Sequence, residues 1–167
     1  MRRDVIATLA EVPADETGTV AIVDETSVVK KGTKTPGVQR QWCGAVGKME
    51  NCVVTVHLGV ARGCYQTLID SDLFLPQSWA ADRDRCREAA IPDEMGHRPK
   101  WRIALSQIID AMLAGLAMDW LTFDEGYGGK PGFLDGLDLL GLSYVGEVPC
   151  NFSCFTHHCT FRERLTH

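Results

Sequence analysis

Thr19-Val20-Ala21-Ile22-Val23 is a short apolar, β-branched run that ends on Asp24 and Glu25, and Trp120-Leu121-Thr122-Phe123 ends in the same way on Asp124 and Glu125. Each reads as a buried strand that delivers acids at its C-terminal end. Paired side by side in one sheet, the two strands bring their carboxylates together. Gly126-Tyr127-Gly128-Gly129 follows the second pair, and its glycines break the strand.

Outward from these runs, the order of elements predicts an α/β fold. Gln39 to Val46 and Cys52 to Val60 are strand candidates, and Gly47-Lys48-Met49-Glu50-Asn51 between them supplies hairpin-turn residues. Asp70 to Pro99 holds Pro76, Pro92 and Pro99 and the charge cluster from Asp82 to Glu88, which predicts loop with short helical pieces. From Trp101 to Met118, Leu105, Ile108, Ile109, Met112, Leu113 and Leu116 recur at helical steps and mark an amphipathic helix with one buried face. Phe133 to Leu140 reads as a second helix closed by Gly141, and Ser143 to Val148 as a strand closed by Pro149. The expected division is a lead-in over 1–18, a core over 19–149 with 70–99 inserted between strands and helix, and a tail over 150–167.

With 167 residues, 45% of them hydrophobic and 23% charged, the chain has the make-up of one ordinary globular domain. Its seven cysteines are odd in number and mostly widely spaced, which suits reduced thiols in a cytoplasm better than a disulfide scaffold. No signal peptide and no uninterrupted apolar span of the ~18 residues a membrane helix needs is found, so secretion and membrane spanning are not expected. A net charge of -5 argues against a nucleic-acid coat protein, whose affinity comes from neutralising many phosphates. Yet Ser27 to Met49 holds Lys30, Lys31, Lys34, Arg40 and Lys48 with no acid. This basic strip reads equally as a solvated hairpin or as a surface for an anionic partner.

Converging strand-end carboxylates suit a hard divalent cation. Mg²⁺ takes oxygen ligands and keeps waters, so two or three carboxylates suffice when phosphate supplies further oxygens. Two such metals can serve in-line displacement at phosphorus, the design of a nuclease. Either acid pair alone reads as a solvated turn; their recurrence favours a site.

The residues resemble the insertion-sequence transposases with a ribonuclease-H-like DDE (Asp-Asp-Glu) catalytic core. The resemblance runs from about Val20 to Pro149. It lies in Val23-Asp24-Glu25-Thr26, Lys30-Lys31-Gly32, Gly37 to Gln41, Gly44 to Lys48 with Asn51, and Asp124-Glu125-Gly126-Tyr127-Gly128, in that order. Asp82-Arg83, Arg85-Cys86-Arg87 and Ile91-Pro92 resemble the insertion before the second acid, and Tyr144 to Pro149 the strand after it. The resemblance implies a ribonuclease-H-like mixed sheet with flanking helices. It also implies Asp24 and Asp124 as first and second catalytic acids and metal ligands, and Mg²⁺ or Mn²⁺ as cofactor. The partners it implies are DNA (transposon ends and target) and a homo-oligomer or full-length transposase, in the cytoplasm at the nucleoid. Lys30, Lys31, Arg40 and Lys48 are then expected along the DNA backbone.

The family has a helical DNA-binding region before the first acid and a third acid, a helical Glu, well beyond the second. Here 23 residues precede Asp24, and the tail after Pro149 resembles nothing in the family. The expectation is a fragment truncated at both ends, incomplete on its C-terminal side and inactive alone. Glu163, on a short terminal helix prone to fray, is the substitute third acid on offer. The alternatives are a non-catalytic remnant that binds DNA or a partner transposase, and a small self-contained ribonuclease-H-like nuclease.

Other features point to less. Cys150, Cys154, His157, His158 and Cys159 lack the paired spacing of a zinc site. Cys43 and Cys86 have no local His and carboxylate to activate a thiolate and read as inert. His57 reads as a core or rim histidine, and Glu147 as structural or solvent-facing. Gly126-x-Gly128-Gly129 lacks the G-x-G-x-x-G of a dinucleotide loop.

Overall fold

The structure, a computed structural model, describes residues 2–154 and 163–164. Helix α1 (Arg2–Ala10) leads into β1 (Thr19–Val29), β2 (Gln39–Cys43), β3 (Lys48–Arg62) and β4 (Tyr65–Leu73). Two short helices follow, α2 (Gln77–Ala80) and α3 (Arg83–Glu88), then α4 (Lys100–Leu113), β5 (Trp120–Phe123), α5 (Glu125–Gly128), α6 (Pro131–Leu139) and β6 (Tyr144–Gly146). Ser153–Cys154 (β7) and Glu163–Arg164 (β8) make a separate antiparallel pair.

Six strands form one mixed sheet in the order β2-β3-β1-β5-β6, with β4 also paired to β3. The long β3 binds β1 on one edge and β2 and then β4 on the other, all antiparallel. β5 joins β1 in parallel, and β6 joins β5 in parallel. This is an α/β fold with a mixed sheet and flanking helices, as expected from the sequence.

Alternation along β1 places Ala21 and Val23 in the core and leaves Ile22 and Asp24 exposed. The core lies between that inner face and the helices. Val56, Leu58 and Val60 of β3 and Leu121 and Phe123 of β5 pack there against Ile103, Ile108 and Ala111 of α4 and Phe133 and Leu137 of α6. Ile6 and Leu9 of α1 join the same core, so the lead-in contributes a helix that its sequence did not announce. A smaller cluster of Val38, Val53, Leu75, Trp79, Cys86 and Ile91 gives the segment after β4 a core of its own.

Several boundaries differ from expectation. β1 does not stop at its acids but runs on through Thr26-Ser27-Val28-Val29, because β3 offers a pairing partner along its whole length. The β2–β3 turn occupies 44–47 rather than 47–51, with the Val46 and Gly47 amides donating to the Cys43 carbonyl and Gly47 in the left-handed region (φ 62°). β4 takes in Asp70 to Leu73, expected to be loop; its pairing with β3 shifts register at Leu58/Gly59, which blurs any simple alternation. α4 ends at Leu113, short of Met118. Gly115 (φ 100°) donates to Met112, and Leu116 to Ala111, the paired bonds of a glycine-closed C-terminus. Leu116 still packs into the core from beyond that turn, which explains its place in the helical pattern. The helix expected at Glu163 is replaced by β8, whose backbone is satisfied by pairing with β7. His157, His158 and Cys159 lie outside the described residues.

Candidate active site

The register of the sheet decides where the two acids meet. Val23 pairs with Phe123 as the last residues of the parallel β1–β5 ladder, and Phe123 pairs with Gly146 across β5–β6. One position further along each strand stand Asp24, Asp124 and Glu147, a single transverse row. On its other side Asp24 pairs with His57 of β3. Asp24 and Asp124 are thus brought together, although Asp24 sits within its strand and Asp124 just beyond one.

Asp24, Asp124 and Glu147 line a groove of 530 Å³ on the face away from the helical core. Asp24 accepts the Glu25 amide at 2.7 Å, and Asp124 caps α5 by accepting the Gly126 amide at 2.9 Å. Among the described residues no cation pairs with either carboxylate, so neither charge is neutralised from within. Glu25, by contrast, faces the opposite side of β1 and is held by Lys100 Nζ at 2.6 Å.

Tyr127 of α5 lies buried beneath this edge, its hydroxyl without a hydrogen-bond partner. Burial, and then the charges of Glu25, Asp124 and Asp24, push that hydroxyl above its ordinary range. His57 bonds Thr55 Oγ1 through Nε2 at 2.9 Å, while its buried Nδ1 has no partner. Half-buried beside Asp24, His57 is the rim histidine expected.

Asp124 also lines a second cleft, of 690 Å³, shared with Trp42, Phe74, His97, Trp101 and Lys130. Sequence reasoning missed this cleft and the row position of Glu147. Glu147 reads from sequence as a structural or solvent-facing residue within the last strand, and only the β5–β6 register sets it beside Asp124.

The basic residues lie at the far end of β1 and on its neighbours. Lys30 and Lys31 occupy the loop after β1, Arg40 is exposed on β2, and Lys48 opens β3, where Glu50 stands 3.6 Å away. Asn51 holds the loop by donating from Nδ2 to the carbonyls of Lys30 (2.7 Å) and Gly32 (3.0 Å). Arg85 of α3, its guanidinium 3.7 Å above the Trp79 ring, donates to the Thr33 carbonyl at 2.7 Å. Cys43 and Cys86 are fully buried, in keeping with inert thiols.

With this geometry in place, comparison with known proteins is decisive at the level of family. The profile of the DDE superfamily endonucleases matches residues 1–165. The chain belongs to that family. A probable transposase for insertion sequence element IS701 of Microchaete diplosiphon is 31% identical over 135 residues, 79% of this DDE endonuclease chain and 32% of that protein. The chain therefore spans about a third of the length of the curated relative it matches. Among solved structures, a Drosophila P element transposase strand transfer complex aligns with 83% of this chain and 25% of that one, at 11% identity and a TM-score of 0.33.

Among the described residues of this DDE endonuclease chain, no three His, Cys, Asp or Glu side chains converge on one metal position. The donors present nevertheless fit a hard divalent cation. Both row aspartates offer oxygen and lack a competing cation, and such ions complete their shells with water and phosphate. No helix among the described residues is long and apolar enough to cross a membrane.

Proposed function

We propose that this chain is the part of a transposase that presents the first two acids, Asp24 and Asp124, to DNA for phosphodiester cleavage and strand transfer. The observation that carries the reading is the β1–β5 register, which sets the two unneutralised aspartates side by side on neighbouring central strands of the sheet. Asp24 and Asp124 would hold Mg²⁺ or Mn²⁺. The chemistry supplied by divalent cations so held is activation of the attacking oxygen and stabilisation of the leaving oxygen.

The protein's own groups do the rest. Asp124 is oriented by the α5 amide it caps, and the sheet ladder fixes the backbone of Asp24, so both carboxylates are held by rigid elements. Lys30, Lys31, Arg40 and Lys48 contact the DNA backbone and supply sequence-independent, salt-sensitive affinity. Third-acid function is not assigned to Glu163, which stands in β8. With Asp24 and Asp124 as the only assigned metal ligands, cleavage by this chain is expected to be crippled.

Mn²⁺ binding followed by electron paramagnetic resonance tests the reading without requiring turnover. Asp24→Asn and Asp124→Asn should each weaken binding by roughly tenfold or more, the scale on which lost metal-site groups act. Undiminished binding in both variants overturns the assignment. A nicking assay in Mg²⁺ and Mn²⁺ should show little or no cleavage; cleavage abolished by both Asp24→Ala and Glu163→Ala would restore Glu163 as the third acid.

A further inference from the structure

We propose that the aromatic cleft beside Asp124 is a binding site for an unpaired nucleobase of the DNA substrate, a proposal that rests on the nucleic-acid reading above. The cleft measures 690 Å³, within the ~300–1,000 Å³ of small-ligand pockets. Four rings line it: Trp42 from β2, Phe74, His97, and Trp101 from α4. Trp42 is 55% exposed, a large apolar surface that the fold itself does not use.

The charges of the cleft select what enters. Lys100 is occupied by Glu25 at 2.6 Å, whereas Lys130 has no acid partner among the described residues. Asp124 and Glu125 are acidic and exposed on the wall. Glu125, which is not among the metal ligands proposed above, would repel a free polyphosphate entering the cleft. A neutral base stacked on the rings, with its backbone phosphate near Lys130, meets a matching surface. Bases in a duplex show a protein only their edges, so ring faces of this kind serve a base that is out of the stack. Because Asp124 lines both this cleft and the groove of Asp24, a base seated here belongs to a nucleotide next to the acids.

The test uses a short single-stranded oligodeoxynucleotide carrying 2-aminopurine and the same strand in a blunt duplex, both with Ca²⁺ in place of Mg²⁺. The single strand should bind more tightly and its fluorescence should be quenched by stacking. Trp42→Ala should weaken single-strand binding by roughly tenfold and relieve the quenching, leaving duplex affinity unchanged; Trp42→Phe should retain most of both. Lys130→Ala should weaken single-strand binding and flatten its salt dependence by about one charge. Equal binding of strand and duplex, or Trp42→Ala without effect, overturns this proposal and leaves the DNA reading standing. No binding of either probe removes both. A change in association state alone on Trp42→Ala marks a protein interface and overturns the proposal as well.

Discussion

Cys43 closes β2 and Cys52 stands in β3 with no solvent exposure at either thiol, each beside the other. Burial, and then the neighbouring Cys43 thiol, push Cys52 from 9.0 up to about 11. The folded protein thus keeps a proton that the unfolded chain releases near pH 9. Its contribution to stability is complete below pH 9 and is lost as pH rises through 11. Urea midpoints should fall over that interval, and Cys52→Ala should remove part of the fall; an identical pH profile in the variant refutes the assignment. At this scale the acids were legible, because a carboxylate after an apolar run is visible in one dimension. The orphaned hydroxyl of Tyr127 was not, because its burial depends on packing against Phe133 of α6 and the rest of the core.

The packing of α5 against Glu147 and Val148, just after β6, helps set where Asp124 points. A Cβ on Gly128 would lie 2.0 Å from the Glu147 carbonyl oxygen, a backbone atom that cannot move without disturbing the strand edge. Gly128→Ala should therefore destabilise the protein by about 1–3 kcal/mol, as overpacking does. Gly44→Ala, whose Cβ meets nothing within 4 Å, should stay within about 0.5 kcal/mol. Paired urea titrations decide it, and equal midpoints would show that α5 is free to shift. Elements with internal signatures were legible: β5 falls on its expected residues, and α6, expected from Phe133, begins two residues earlier at Pro131 and closes as expected with Gly141, in the left-handed region. The C-terminal half of β1 and all of β4 depend on β3 for their hydrogen bonds, so local pattern under-reports them.

Across the whole molecule, charge is divided between an acidic row that crosses the middle of β1 and a basic loop after its C-terminal end. Asn51 and Arg85 hold that loop, so its lysines are presented from an ordered backbone. Neutralising Lys30, Lys31 and Arg40 together should weaken binding to all DNA sequences alike. The slope of log affinity against log salt should become shallower by up to about 3. An unchanged slope returns the strip to a solvated hairpin. Composition, strand-end acids and helical periodicity, all properties of neighbouring residues, by themselves determined the α/β class, the two aspartates and the basic strip. Tertiary structure alone decided that Asp24 and Asp124 share a row, that Glu147 joins it, and that Trp42, Phe74, His97 and Trp101 line one cleft. Those relations depend on strand register and on packing between residues far apart in the chain, where a shift of one position along β5 would separate the two aspartates.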